Sequence, residues 1–176
     1  MNRDVLQASS CPVARSLARL GDPWSMLILR DAFHGMTRFD EFERSLGIAP
    51  NILTARLKAL VADGLLERHR YSERPPRYEY RLTEAGRDAR SIAFALLAWG
   101  NRHLAPEGPS VVVVNDDTGE RAEPMMVDRV TGRPLSDPAF RLEAGPAAGP
   151  SVHRRVASAA KRAAASGRHV QPGRTG

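Results

Sequence analysis

The sequence is poor in the residues that build chemical sites. It has one cysteine in 176 residues, which excludes an intrachain disulfide and a cysteine-rich zinc site. No apolar run approaches the ~20 residues of a membrane-spanning helix, and the N-terminus has no signal-peptide pattern. Glycine-rich phosphate loops, nucleophile elbows and metal-ligand clusters are missing, and the five histidines are scattered. We therefore expect a cytoplasmic protein that is not an enzyme, needs no cofactor or metal, and does not bind membranes.

Acidic residues are missing from the end of the chain. Residues 144–176 contain six basic residues and no acidic one, which accounts for the whole net charge of +6. Residues 1–104 contain 16 basic and 12 acidic residues, and residues 105–143 contain 4 and 8. Because the high pI comes from the tail, the global charge alone is poor support for nucleic-acid binding.

The most informative stretch is a predicted helix from Pro50 to about Asp63. Pro50 suits the first helical position, and Gly64 suits the left-handed position that ends a helix. The leucines form one apolar stripe, at Leu53, Leu57 and Leu60. The opposite side is small, polar and cationic, with Asn51, Thr54, Ala55 and Lys58. A helix with such a carboxylate-free face can lie in the major groove of DNA.

The flanking segments extend this helix into a winged helix-turn-helix. Residues 37–45 are predicted to form a short helix with Thr37 as its N-cap, and residues 47–49 form a tight turn. After the central helix, residues 65–71 and 77–82 alternate as two strands of a hairpin. The fold class is therefore mainly α with small β content (α+β).

The predicted DNA contacts divide into two groups. Residues on the central helix should face bases or the nearby backbone, namely Pro50, Asn51, Thr54, Ala55 and Lys58. Arginines around it should hold phosphates, namely Arg38, Arg56, Arg70, Arg74 and Arg77. Arg56 lies toward the edge of the buried stripe and could instead brace the fold through an acidic neighbour. Helix-turn-helix pairs also occur as plain packing units, so a protein–protein adaptor is the alternative.

Four motifs carry a resemblance to a known family. They are CPVARSLARLGDPWSMLILRDA at 11–32, RFDEF at 38–42, LTARL at 53–57 and LTEAG at 82–86. Over roughly residues 11–104 the chain resembles the HxlR-type winged-helix transcriptional regulators of the MarR-like superfamily. The resemblance implies a small dimeric regulator that binds a roughly palindromic operator.

Cys11 is the candidate redox-sensing residue. It precedes Pro12 at the start of the first predicted helix, where the helix dipole and Arg15 would favour the thiolate. Some HxlR-type regulators sense oxidants or electrophiles through a cysteine in this part of the chain, so the resemblance implies a sensor. The alternative is a small buried hydrophobic residue. A ligand pocket between the Trp24 region and the long C-terminal helix is a competing mode of regulation.

The long helix is predicted to begin after Thr83 and to run to about Leu104. Its apolar face, which includes Leu96 and Trp99, is too broad for packing on one small domain. We expect this face to pair with a second copy of the chain or with the segment that follows.

Residues 105–143 are predicted to form a small β-hairpin module. Residues 110–114 and 121–130 should form strands, and the turns resemble the knuckles of a zinc ribbon. Thr118, Asp128 and Thr131 stand where thiolates would be expected, so we predict a metal-free module. Its role could be dimer contact, effector binding or packing.

The chain thus divides into a flexible arm (1–10), the winged helix with its dimerisation helix (11–104), the β-rich extension (105–143) and a basic tail (144–176). We expect the tail to be disordered, with at most a transient helix over 152–165. It would raise non-specific DNA affinity or have no role. The prediction is a homodimeric, nucleoid-associated repressor that binds a pseudo-palindromic operator and responds to oxidants through Cys11 or to a small ligand.

Overall fold

The computed structural model describes residues 2–165. Its contacts form two compact units, one of residues 16–125 and one of residues 2–15 with residues 126–165. The elements follow one another as α1 (Arg3–Gln7), α2 (Pro12–Leu20), α3 (Pro23–Phe33), α4 (Phe39–Leu46), α5 (Pro50–Ala62), β1 (Leu66–Ser72), β2 (Arg77–Leu82), α6 (Glu84–Asp88), α7 (Arg90–His103), β3 (Val113–Val114), β4 (Arg121–Ala122) and α8 (Pro150–Ala165). Within residues 2–165, none of these helices is long and apolar enough to cross a membrane.

The helix-turn-helix is formed by α4 and α5 on the supporting helix α3. The side chains that fill the core are Ile28, Leu29, Phe42, Leu53, Leu57, Leu60 and Leu66, all of them fully buried. Gly47 ends α4 with a φ of 59°, a left-handed conformation that glycine adopts without steric cost. Because burying one such apolar side chain contributes roughly 1.5–3 kcal/mol, the leucine stripe fixes α5 firmly on the core.

The start of α4 differs from the prediction, because Thr37 is not its cap. Arg38 occupies the N-cap position, and the backbone N–H groups of Thr37 and Arg38 both donate to the Glu41 carboxylate at 2.9 Å. The Arg38 and Thr37 N–H groups lower the pKa of Glu41 below its ordinary value. A glutamate at the third helical position therefore satisfies the amides that a threonine hydroxyl was expected to serve.

The wing is the antiparallel pair of β1 and β2. Leu66 is opposite Leu82 at its base, and the register shifts between Arg70 and Ser72 near the tip. The Tyr80 N–H donates to the carbonyl of Thr37 at 2.7 Å. The wing is thus attached to the residues that precede α4.

The predicted single helix after Thr83 is divided at Ala89, whose backbone remains in the right-handed helical region. The Thr83 hydroxyl caps α6, since it accepts from the Gly86 N–H at 3.0 Å, and it donates to the carbonyl of Gly64 at 2.6 Å. Thr83 therefore joins the end of the helix-turn-helix to the start of α6.

The extension is less regular than predicted, and its two halves belong to different units. Strands β3 and β4 have only two residues each. The second turn is held by Asp128, whose carboxylate accepts from the Thr131 hydroxyl at 2.7 Å. No group of three or more potential metal ligands occurs in the described part of the chain. The Thr118 hydroxyl accepts from the Glu120 N–H at 3.3 Å in the first turn, so polar turn contacts occur at all three positions where thiolates would be expected.

Both ends of the described chain are more helical than predicted. The arm contains α1, and the segment expected to be disordered contains α8 over Pro150–Ala165. Alanine has the highest helix propensity, and α8 is rich in it. Val152 and Val156 are half-buried, so one side of α8 is packed. The remaining predicted tail, 166–176, lies outside the described residues.

Candidate nucleic-acid interface

The outer face of α5 has the composition that the sequence predicted. Pro50, Asn51, Thr54, Ala55 and Lys58 are all exposed, whereas the leucines on the opposite side are buried. Within residues 2–165, the Lys58 ammonium has no ion pair. The Thr54 hydroxyl donates to the carbonyl of Pro50 at 2.8 Å, so its oxygen can only accept from another partner.

Arg56 forms an ion pair within the protein, which was the alternative predicted for this residue. Its guanidinium lies 3.0 Å from the carboxylate of Asp22, and both side chains are about one-third exposed. The same carboxylate accepts from the Ser25 N–H at 3.1 Å and so caps α3. In this conformation Arg56 connects α5 to the start of α3 and is not free for a phosphate.

Arg70 is also engaged within the protein, although it was predicted to hold a phosphate. Its guanidinium donates to the carbonyl of Ser72 at 3.2 Å and to that of Glu73 at 2.9 Å. It also lies 3.4 Å from the Glu73 carboxylate. These contacts shape the wing turn, because one rigid guanidinium holds two successive carbonyls.

Three of the predicted phosphate ligands remain available near the wing. Arg74 and Arg77 are exposed and have no ion pair within the described residues. The Arg38 guanidinium lies over the ring of Tyr71 at 4.9 Å. A second such contact, Arg68 over Tyr78 at 4.3 Å, was not predicted, although diagonal cross-strand neighbours of this kind often interact. The wing thus presents cations supported by tyrosine rings.

Cys11 lies half-buried at the start of α2. The pKa of its thiol is lowered, mainly by the backbone N–H of Ala14 and further by that of Val13 and by Arg155. The Arg155 guanidinium donates to Sγ at 3.6 Å. The predicted cation was Arg15, but its Nε donates to the carbonyl of Ser9. The helix terminus therefore acts as predicted, whereas the cation comes from α8.

The long helix has an uncovered apolar stripe. It consists of Ile92, Leu96 and Trp99, which are 42%, 52% and 56% exposed. These positions recur at helical spacing and thus lie on one side of α7. Contiguous exposed apolar surface of this kind is typical of protein–protein contact sites.

The arrangement matches known proteins in sequence. Residues 19–108 match the family described as HxlR-like helix-turn-helix. An uncharacterized HTH-type transcriptional regulator of Mycobacterium tuberculosis is 42% identical over 135 residues, which are 76% of this chain and 85% of that protein. The regulator YybR of Bacillus subtilis, also uncharacterized, is 37% identical over 60% of this chain and 87% of its own length.

Solved structures give the same result. The crystal structure of PA1607, a proposed transcription factor, has a TM-score of 0.72 and 41% identity, over 80% of this chain and 99% of its own. A proposed transcription factor from Pseudomonas aeruginosa, PA1374, has a TM-score of 0.60 and 50% identity, over 82% of this chain and 99% of its own. The redox regulator HypR in its reduced form has a TM-score of 0.51 and 35% identity, over 55% of this chain and 99% of its own.

Proposed function

Because this chain belongs to the HxlR-like helix-turn-helix family and is a DNA-binding transcriptional regulator, we propose that it is a homodimeric repressor acting on a pseudo-palindromic operator. The observation that carries the proposal is the exposed, carboxylate-free face of α5 together with the wing cations Arg74 and Arg77, which have no ion pair among residues 2–165. Such a repressor acts on chromosomal DNA in the cytoplasm and needs no catalytic step.

Within this proposal the helix and the wing have different tasks. Asn51 can donate and accept at base edges, Ala55 can contact a thymine methyl, and Lys58 can donate to a guanine or a phosphate. Pro50 and Thr54 lie beside them against the backbone. Arg38, Arg74 and Arg77 would hold phosphates, which position the protein without reading sequence.

Dimerisation is proposed from the uncovered stripe of α7. Pairing this stripe with its copy would bury Ile92, Leu96 and Trp99 and remove three large apolar side chains from water. A two-fold axis then places two α5 helices on half-sites about one helical turn of DNA apart. One short helix contacts few base pairs, so binding a second half-site increases the preference for the operator over unrelated DNA.

The test compares operator binding by one variant at a predicted base contact on α5 and one at a predicted phosphate contact on the wing. Fluorescence anisotropy with DNA from the promoter beside its own gene is measured against unrelated DNA over a range of salt concentrations. Lys58→Ala should weaken operator binding by about 1–3 kcal/mol, which corresponds to roughly 5- to 150-fold, and lower the preference over unrelated DNA. Arg74→Ala should weaken binding to both DNAs about equally and flatten the salt slope by about 1.

Arg129→Ala is the matched control, because Arg129 is exposed, lies outside the helix-turn-helix unit and has no ion pair within the described residues. It should leave both affinities unchanged. If the parent protein does not distinguish the operator from unrelated DNA, the repressor proposal fails and a protein–protein adaptor role is favoured.

We further propose that oxidants regulate operator binding through Cys11. The lowered pKa gives Cys11 the thiolate character that reaction with oxidants or electrophiles requires. The structural likeness to HypR, a redox regulator, supports the same reading. Genome-wide binding measured with and without oxidant tests it: the parent should leave its sites on oxidation, whereas Cys11→Ser should remain. Retention of both proteins on oxidation would contradict the redox proposal and favour regulation by a ligand in a pocket near Trp24 instead.

A further inference from the structure

A cavity of about 470 Å³ lies between α7 and the segment that contains β3 and β4. Leu97, Ala98 and Val112 supply apolar wall, while Arg102, Arg121 and Glu123 supply charge. The Asn101 amide donates to the carbonyl of Val111 at 2.9 Å, which holds the strand segment against the helix. Cavities of this size are typical of small-molecule sites.

The cavity is lined by three charged side chains, those of Arg102, Arg121 and Glu123. Among the described residues, none of the three charged side chains makes an ion pair. Two arginines and one glutamate leave one uncompensated positive charge beside apolar wall. A guanidinium in such a place can bind a carboxylate through two parallel hydrogen bonds.

We propose that this cavity binds a small monoanionic effector, an aryl or alkyl carboxylate whose apolar body contacts Leu97 and Val112 and whose carboxylate contacts Arg102 and Arg121. The single negative charge of the ligand balances the net positive charge of the lining, and its apolar body matches the apolar wall. The second carboxylate of a dicarboxylate would be repelled by Glu123. A protonated amine would be repelled by the two arginines.

The cavity is on the side of α7 away from the stripe proposed for dimerisation. At about 100° per residue, Leu97, Ala98 and Asn101 lie roughly opposite Ile92, Leu96 and Trp99 on the helix. A second copy of the chain seated on the stripe would therefore leave the cavity open. One helix thus connects a ligand site on one side with a subunit contact on the other.

This geometry gives the ligand a route to operator binding, a step that rests on the proposed function. A carboxylate between Arg102 on α7 and Arg121 on β4 would fasten the strand segment to the helix. If the two α5 helices are spaced by the pairing of α7, a change in α7 alters the fit to the two half-sites. Ligand binding itself does not depend on this step.

The first measurement is direct binding to the full-length protein in the absence of DNA. The probes are benzoate, 4-phenylbutyrate and decanoate, each compared with its neutral amide by amide NMR shifts and calorimetry. We expect at least one carboxylate to shift Leu97, Asn101 and Val112 and to bind about tenfold more tightly than its amide.

The arginine variants test the charge assignment. Arg102→Gln combined with Arg121→Gln should weaken carboxylate binding about tenfold or more, and the amide much less. Arg129→Gln is the matched control and should bind like the parent. Ala98→Leu, which fills the cavity, should abolish binding of carboxylate and amide alike.

The outcomes separate the two proposals. The inference is overturned if no carboxylate binds, if amides bind equally well, or if the shifts fall on Ile92 and Trp99, where a second copy or non-specific apolar contact would act. Operator binding by the ligand-free double variant is measured in parallel. Failure of operator binding in parent and variant alike would overturn the proposed function and leave the ligand site standing.

Discussion

At the scale of single residues, Asp22 explains why Arg56 is engaged within the protein. One carboxylate oxygen caps α3 through the Ser25 N–H, and the other lies 3.0 Å from the Arg56 guanidinium. The sequence indicated the cap, because aspartate precedes Pro23. It offered the ion pair only as an alternative, since residues 34 positions apart meet only when α3 and α5 pack together.

Replacing Arg56 and Asp22 in turn should separate the contribution of the helix cap to stability from that of the ion pair. Arg56→Ala should lower the free energy of unfolding by only about 0.5–1 kcal/mol, because solvent reaches the pair. Asp22→Ala should cost about 1–2 kcal/mol, because the cap is lost as well. Urea unfolding of both variants and of the double variant measures the coupling. A salt slope for DNA that falls by about 1 in Arg56→Ala, as expected for Arg74→Ala, would contradict this assignment.

The pKa of Cys11 also depends on a residue that the sequence did not indicate. The helix-terminal N–H groups of Ala14 and Val13 follow from the position of Pro12 and could be predicted. Arg155 could not, because it is 144 positions away and meets the thiol through tertiary packing. Arg15, the neighbour in sequence, donates to Ser9.

The rate of alkylation by iodoacetamide as a function of pH measures this effect. A lowered pKa means more thiolate at neutral pH, so the parent should titrate below the ordinary thiol value of about 8.5. Arg155→Ala should raise the midpoint part of the way, because the amides at the helix terminus remain. Arg154→Ala is the control and should titrate like the parent. Coincident curves for the two variants would contradict the role of Arg155.

At the scale of elements, the sequence predicted those that a local signal begins or ends. Prolines at 12, 23 and 50 begin helices, glycines at 47 and 64 end them, and leucine periodicity gives the buried side of α5. The packing of α8 depends on contacts between segments distant in sequence, such as that of Arg155 with Cys11. For the same reason the exposure of the outer face of α5 was predicted, whereas the Arg56 ion pair was predicted only as an alternative and the contacts of Arg70 were not predicted.

Two helical glycines provide a matched test of the junction at α6. A Cβ added to Gly86 would lie 2.0 Å from the carbonyl oxygen of Leu65, whereas one added to Gly100 would meet nothing within 4 Å. Gly86→Ala should therefore destabilise the protein by about 1–3 kcal/mol, because the backbone must move. Gly100→Ala should stabilise it by about 0.5–1 kcal/mol through helix propensity. Thermal unfolding compares them, and equal shifts would show that α6 does not pack closely on Leu65.

At the scale of the whole molecule, the proposed dimer and the proposed ligand site together require that α7 contribute to two surfaces. Its stripe would pair two chains, while its other side lines the cavity beside β3 and β4. Neither surface includes a residue of α4 or α5. Regulation would then act on the spacing of two unchanged reading helices, as expected for a rigid-body switch between subunits.

The dimer can be tested with one charge placed in the stripe. Leu96→Asp should give a monomer by light scattering, because an aspartate buried against its own copy would bring two unpaired carboxylates together. Affinity for the full operator should fall by about 100-fold, since the half-sites are no longer bound as one unit, while affinity for an isolated half-site stays the same. Leu142→Asp, which alters a leucine that is already 89% exposed, is the control and should remain dimeric. A dimeric Leu96→Asp with full operator affinity would place the subunit contact elsewhere and detach the stripe from DNA recognition.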